Sequence, residues 1–167
     1  MKFITRKLAQ PAGLRLLIGL AVLSAHLAHA QAPWPYAPPT DPMAQRNAMN
    51  LMLNQVKWFQ NTTRTSGSYA GGGYGMLVQQ FQAVRDQYAG FKGTLTPQQL
   101  TAGANPLAEL DAGLDIIQEA FTDYQTAVAN GQSDITAFNN LRQVLNEAMG
   151  VWVQEFKRTC GQLRVGW

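Results

Sequence analysis

The sequence predicts an all-α protein, an up-and-down bundle of three to four helices. Apolar residues recur at steps of three and four along four segments, and glycine or proline clusters separate those segments. No segment alternates apolar and polar residues as a half-buried strand would, and no internal repeat is present. Helix packing must supply the stability, because the single cysteine, Cys160, has no partner for an internal disulfide.

Residues 1–30 have the features of a secretory signal peptide. A basic leader precedes an apolar run over 16–23, and the small residues Ala28 and Ala30 precede Gln31. The basic residues of the leader are Lys2, Arg6, Lys7 and Arg15. The apolar run is shorter than the roughly 20 residues that a bilayer span needs. We therefore expect cleavage after Ala30, a periplasmic or secreted protein, and no integral membrane segment after cleavage.

Removal of the leader changes the charge and the chemistry of the chain. The whole chain has a formal net charge of +3, but nine basic and ten acidic residues follow the leader, so the remainder is close to neutral. This balance argues against nucleic acid as a partner, since phosphate binding needs a dense cationic face. Both histidines, His26 and His29, also belong to the leader. We therefore expect no histidine-dependent catalytic site, no metal and no cofactor.

Residues 31–41 form a Pro-rich N-terminal arm. Four prolines in the first ten of these residues favour an extended polyproline conformation and exclude a helix. Trp34 and Tyr36 are candidate partner-binding residues, because an extended aromatic segment can lie in a groove of another protein. The alternative, which we prefer, is an arm that folds back on its own domain.

Residues 42–167 are expected to form one helical domain. Asp41 and Pro42 predict the start of a first helix over 42–63, because aspartate caps helices and proline is tolerated at the first helical position. The inward face of this helix is predicted from apolar residues at steps of three and four. These residues are Met49, Met52, Val56 and Phe59, with Leu53 beside them. A methionine stripe at this spacing is usually part of a core.

A Gly-rich loop is predicted over 66–75, where five glycines and two tyrosines occur in ten residues. No phosphate-binding glycine motif is present in it. Tyr69 and Tyr74 are therefore candidate partner-binding residues, since large amphipathic rings on a pliable backbone suit recognition. The alternative is that these tyrosines cap the end of the bundle.

Three further helices are predicted after this loop. A shorter second helix over 76–89 should end at Gly90, and a capping box from Thr96 to Gln99 should open a short turn. A long helix should start at Asn105 and Pro106 and end near 130, and a last helix should cover about 135–162. In this last helix Cys160 lies on the inward stripe and should react slowly. Trp167 is either a plug on the bundle end or an exposed anchor.

The long helix that starts near residue 105 has the clearest apolar pattern in the chain. Its inward stripe is predicted to be Leu107, Leu110, Leu114, Ile117, Phe121, Tyr124 and Val128. Four acidic residues follow one another at intervals of four on its other faces: Asp111, Asp115, Glu119 and Asp123. Such a row can hold a divalent cation or act as an acid–base pair. We prefer the simpler interpretation of a solvated face.

Two short patterns resemble those of known families. Leu95 to Gln99 reads LTPQQ and resembles the L-T-x-x-Q pattern of a family of small periplasmic helical chaperones, which carries two copies where this chain has one. Residues 55–93, with their Gln-rich helices and glycine-interrupted loop, resemble the small exported pilus-associated subunits of type IV secretion and conjugation systems. These resemblances imply an exported, helical binding protein.

The function that these features favour is an exported small helical protein that acts by protein–protein contact, in a binding or structural role. The expected partner is an envelope or secretion component. A pilus-associated accessory subunit and a periplasmic chaperone are the sharper alternatives. A carboxylate-dependent enzyme is a further alternative, which would require two acids of the Asp111–Asp123 row to lie in a cleft.

Overall fold

The computed structural model describes residues 41–66 and 70–165. The predicted signal peptide, the arm before Asp41, Tyr69 and Trp167 lie outside the described residues. Within them the chain is helical and contains no strand, which confirms the all-α class. The helices are α1 (Pro42–Thr65), α2 (Ala70–Lys92), α3 (Pro97–Ala102), α4 (Ala104–Ala129) and α5 (Asp134–Gln162). No helix in this part of the chain is both long enough and apolar enough to cross a bilayer.

Helix α1 begins as the sequence predicts. The carboxylate of Asp41 accepts a hydrogen bond from the backbone N–H of Ala44 at 2.9 Å, and Pro42 occupies the first turn. Such a cap satisfies a backbone donor that the helix itself leaves unpaired. The predicted inward residues Met52, Val56 and Phe59 are buried, so the apolar pattern correctly gives the core face of this helix.

The prediction for residues 66–75 was wrong in its second half, because α2 begins at Ala70. The glycine run therefore forms the first turns of a 23-residue helix, and Gly90 lies inside that helix instead of ending it. Glycine lowers helix stability by roughly 1 kcal/mol at each position, but packing of neighbouring residues can outweigh this cost. Here Leu77 is fully buried and Tyr74 packs against the core. The second long helix is thus comparable in length to the others, and the bundle has four long helices.

Helix α3 confirms the predicted capping box. The hydroxyl of Thr96 accepts from the backbone N–H of Gln99 at 3.2 Å, and the side chain of Gln99 accepts from the N–H of Thr96 at 2.9 Å. The amide of Gln99 also forms a reciprocal pair with the amide of Gln45 in α1, at 2.7 and 3.3 Å. Both amides are buried. Leu95 is buried as well, so all three residues that match the L-T-x-x-Q pattern, Leu95, Thr96 and Gln99, have a structural role in this protein.

This amide pair joins four parts of the chain. Gln45 also donates to the carbonyl of Thr94, and Gln99 donates to the carbonyl of Leu163, each at 2.9 Å. Every polar atom of the two side chains is therefore hydrogen bonded. Because an unpaired buried amide is costly, these bonds fix how α1, α3 and the C-terminal segment meet.

The start of α4 differs from the prediction by two residues. The helix begins at Ala104, after Gly103, so Asn105 lies inside it and does not cap it. Glycine is required at the junction, because a Cβ on Gly103 would lie 2.9 Å from both the carbonyl oxygen of Gln99 and a methyl of Leu163. The predicted inward stripe is buried from Leu107 through Phe121, whereas Val128 is 37% exposed.

The four long helices run antiparallel to their neighbours. Hydrogen bonds and ring contacts place Gln55 beside Gln80, Phe59 beside Phe81, and Tyr124 beside Phe138. Helix α1 packs on α2 and α5, and α4 packs on α5, so that α1 and α4 lie diagonally across the bundle. An up-and-down bundle buries the apolar stripes of all four helices in one core.

An aromatic cluster fills the core near α3. Tyr88, Phe91, Trp152 and Phe156 pack together, and Trp152 stacks on Phe156 at 5.2 Å between ring centroids. The indole N–H of Trp152 donates to the carbonyl of Leu110 at 2.8 Å. This approach needs Gly113, since a Cβ there would lie 2.9 Å from a carbon of the indole ring.

Candidate protein-contact surface

Of the four candidate binding residues, the structure describes only Tyr74. Its ring stacks on Tyr124 at 4.7 Å and meets Phe121 edge-on at 5.9 Å. Burial raises the pKa of the Tyr74 hydroxyl. Tyr74 thus packs onto the end of the bundle, as the capping alternative expects. Trp34, Tyr36 and Tyr69 lie outside the described residues, and their binding roles stay predictions.

Tyr124 connects this end of the bundle to the start of α5. Its hydroxyl donates to the carboxylate of Asp134 at 2.6 Å. Burial, followed by the hydrogen bond and the negative charge of Asp134, raises the pKa of Tyr124 to about 12. The contact holds the last turn of α4 against the first turn of α5.

Two residues of the acidic row of α4, Asp111 and Asp115, are paired with basic residues of α2. Lys92 approaches both carboxylate oxygens of Asp111, at 2.7 and 3.0 Å, and Arg85 lies 3.4 Å from Asp115. Lys92 also lies over the ring of Tyr88, at 4.7 Å from its centroid. Among the described residues, no group of three histidine, cysteine, aspartate or glutamate side chains has a metal-binding arrangement. The row therefore contributes ion pairs between α2 and α4.

Cys160 lies where the sequence places it. Its side chain is buried, and burial raises the pKa of the thiol to about 12. Because the thiolate is the reactive form, the thiol should be unreactive near neutral pH.

Three large apolar side chains are exposed along α1, and we call them the α1 strip. They are Met43, which is 64% exposed, Leu51, which is 57% exposed, and Trp58, which is 67% exposed. Leu51 and Trp58 are seven residues apart, so they lie on the same side of the helix, about 10 Å from each other. Met43 lies eight residues before Leu51, about 80° away around the helix axis. Single exposed apolar residues are common, but an exposed tryptophan beside an exposed leucine is typical of contact surfaces.

The neighbourhood of the strip contains polar, uncharged residues. Asn47, Asn54 and Asn61 form a second exposed row beside it, also at intervals of seven. On the side toward α2, Gln55 is hydrogen bonded to Gln80 at 2.9 Å. One turn before Gln80 lies Met76, which is exposed and comes close to the level of Trp58 in this antiparallel pairing. The apolar surface thus extends across the α1–α2 groove.

The charged residues of α1 and α4 are segregated by sign. Helix α1 carries three basic residues and no acidic one: Arg46, Lys57 and Arg64. Helix α4 carries five acidic residues and no basic one: Glu109, Asp111, Asp115, Glu119 and Asp123. Since α1 and α4 lie diagonally across the bundle, the molecule has a basic ridge on α1, separated from Leu51 and Trp58 by the asparagine row, and an acidic ridge on the far side.

Sequence reasoning missed the α1 strip. The apolar spacing of the first helix predicts only its inward face. Leu51 and Trp58 each come one residue before a buried residue of that face, Met52 and Phe59, and therefore point away from the core. A signal was present, because Leu51 and Trp58 share a heptad spacing with the exposed asparagines. The amide pair of Gln45 and Gln99 was missed for another reason: its two members are 54 residues apart.

Comparison of the chain with protein-family models, with curated proteins and with solved structures finds no match.

Proposed function

We propose that this protein is exported and acts by binding another protein through the α1 strip. The observation that carries the proposal is Trp58, a tryptophan that is 67% exposed, lies on the same side of α1 as exposed Leu51, and follows exposed Met43 along the helix. Tryptophan is among the residues that contribute most binding energy at protein interfaces. The leader over 1–30 supports export, and we propose an envelope or secretion component as the partner.

The composition of the exposed face of α1 supports a binding role over a purely structural one. Four asparagines are exposed on this helix: Asn47, Asn50, Asn54 and Asn61. At exposed positions packing does not select the residue, and asparagine is a weaker helix former than alanine by roughly half a kcal/mol. A face that only needed to be soluble and helical would carry stronger helix formers, such as glutamate or lysine. Asparagine and tryptophan together supply hydrogen-bonding groups and apolar area for a partner.

Photo-crosslinking in the producing cell tests this proposal. A photoreactive amino acid placed at position 58 should form an adduct with one other protein. The same amino acid at Gln118, which is exposed on the diagonally opposite helix α4, is the matched control and should form none. Adducts at both positions, or at neither, would contradict the proposal. An adduct of twice the chain's mass would identify a second copy as the partner instead.

A binding measurement with the partner isolated in this way gives the energetic test. Trp58→Ser should weaken binding by at least thirtyfold, about 2 kcal/mol, which is the range of an aromatic anchor. Lys57→Ser changes the adjacent exposed residue and should have a much smaller effect. Both variants should remain folded, since neither side chain belongs to the core of the bundle. Equal binding by Trp58→Ser and the wild type would remove the α1 strip from the proposal.

Intact-mass measurement of the exported protein tests the compartment. The mature chain should begin at Gln31. A product that retains residues 1–30 would contradict export and would leave the leader as an anchor.

A further inference from the structure

The α1 strip begins where the Pro-rich arm joins the domain. Asp41 is the N-cap of α1, so residues 31–40 precede this helix directly. Met43, Leu51 and Trp58 then follow one another along α1 away from that junction, and all three are exposed. A segment that reverses direction at the junction would pass over each of them in turn.

The length of the arm matches the length of the strip. In polyproline geometry each residue advances about 3.1 Å, so residues 31–40 reach roughly 31 Å. Tyr36 is five residues before Asp41 and reaches about 15 Å, which is the height of Leu51, ten helical residues after Asp41. Trp34 reaches about 22 Å, within one helical turn of the height of Trp58 at about 26 Å. Both aromatic residues of the arm thus reach large apolar residues of the strip.

The chemistry of the two segments also matches. Residues 31–40 contain four prolines, two aromatic residues and no charged residue. Leu51 and Trp58 lie beside the uncharged asparagine row and not on the basic ridge. A proline-rich segment loses little conformational freedom when it binds, because its rings already restrict the backbone. Docking would remove apolar surface from water on both sides at about 25 cal/mol per Å².

We infer that residues 31–40 fold back along α1 and cover Met43, Leu51 and Trp58 in the isolated protein. The arm is then an internal ligand of the α1 strip. Where the strip also binds another protein, a consequence that rests on the proposed function, that partner must displace the arm. The arm thereby keeps an exposed tryptophan from non-specific contacts until the partner arrives.

Disulfide crosslinking in the full exported chain tests this inference. Ala37→Cys places a thiol in the arm about 12 Å from Asp41, and Asn47→Cys places one on α1 about 9 Å from Asp41, at an exposed position between Met43 and Leu51. The matched control combines Ala37→Cys with Ala112→Cys, which is exposed on α4 across the bundle. Cys160 does not compete, because it is buried. Each pair is oxidised at low protein concentration and followed by non-reducing gels and intact mass.

The α1 pair should close an intrachain disulfide at least tenfold faster than the control pair. Adding Trp34→Ser and Tyr36→Ser should slow the α1 pair to the rate of the control, and folding should be unaffected because both positions precede the bundle. Equal rates for the two pairs would overturn the inference. An interchain disulfide in the α1 pair would also overturn it, because a second copy would then occupy the strip.

Deletion of residues 31–40 separates this inference from the proposed function. The deletion should increase the photo-crosslinked adduct at position 58 at least threefold, since the partner no longer competes with the arm. If no adduct forms at position 58 while the α1 pair still closes rapidly, the proposed function fails and the arm inference stands. If the adduct forms but the α1 pair closes no faster than the control, the arm inference fails and the proposed function stands.

Discussion

The two ends of the bundle are stabilised in different ways. At the end that contains α3, the amides of Gln45 and Gln99 are buried and fully hydrogen bonded to each other and to three backbone groups. At the opposite end, Tyr74 and Tyr124 stack in partly exposed positions. Among the described residues of that end, the buried side-chain oxygens of Ser66 and Gln132 have no hydrogen-bond partner.

This difference shows which end determines how the helices meet. Hydrogen bonds between buried groups are directional, so the α3 end permits one arrangement of α1, α3 and the C-terminal segment. Ring stacking is less directional and tolerates small displacements. Arg142 adds one directional contact at the tyrosine end, where it donates to the carbonyls of Thr63 and Arg64 at the end of α1. We therefore expect substitutions at the α3 end to have the larger effects.

The largest expected effect is that of Gln99→Ala. The change leaves the side-chain oxygen of Gln45, the N–H of Thr96 and the carbonyl of Leu163 without the hydrogen bonds they make to Gln99. We expect the free energy of unfolding in urea to fall by about 3 kcal/mol, since each buried group left unpaired costs 1–3 kcal/mol. Gln98→Ala is the matched control, because Gln98 is the exposed neighbour, and its effect should be below about 0.5 kcal/mol. Similar losses in the two variants would mean that the α3 end is not specified by the amide pair.

A second substitution tests the packing beside the α3 end. The added methyl of Gly113→Ala would lie 2.9 Å from the indole of Trp152, and the ring cannot move freely because it is buried and hydrogen bonded. We expect a loss of about 2 kcal/mol, in the range of overpacked cores. Gly150→Ala in α5 is the control, and we expect it to raise the free energy of unfolding instead of lowering it, because nothing lies within 4 Å of its added methyl. That variant should gain up to about 1 kcal/mol from higher helix propensity, and a loss there would contradict the packing described.

At the tyrosine end the expected effect is smaller. Tyr74→Ser removes one ring from the stack with Tyr124 and Phe121, and we expect a loss of about 1.5 kcal/mol, because the ring is only partly buried. Tyr74→Phe keeps the ring and should lose less than about 0.5 kcal/mol. Denaturation of the two variants in parallel measures the difference. A loss by Tyr74→Ser as large as that of Gln99→Ala would erase the contrast between the two ends.

The smallest effect is a dependence on pH above 10. The pKa of Tyr124 is raised from 10.0 to about 12, so the folded state keeps this proton where the unfolded state releases it. Its contribution to stability is therefore complete below pH 10 and is lost as the pH rises through 12. Stability should fall less steeply over this range in Tyr124→Phe than in the wild type. Parallel curves would mean that the hydrogen bond to Asp134 does not hold the tyrosine end.

The sequence predicts the parts of the fold that depend on local signals. The cap at Asp41, the capping box at Thr96 and the buried position of Cys160 each follow from residue type and spacing alone. The start of α2 cannot be predicted in this way. The low helix propensity of its glycines is outweighed by the tertiary packing of Tyr74 and Leu77, and local composition gives no information about that packing. Helical periodicity has a similar limit, since it places Trp58 off the core face without saying whether another segment covers it.

The electric field of the opposite charges on α1 and α4 extends beyond the surface of the protein, so it acts on a partner before any side chain touches that partner. Because the basic and acidic helices are diagonal neighbours, the bundle is an electric dipole directed across its long axis. In the electric field of a charged surface the protein experiences a torque, which turns the side of opposite charge towards that surface before contact. A negatively charged body meets the basic ridge of α1 first. Since this steering fades over a Debye length of about 8 Å at physiological salt, encounter rates should fall as ionic strength rises.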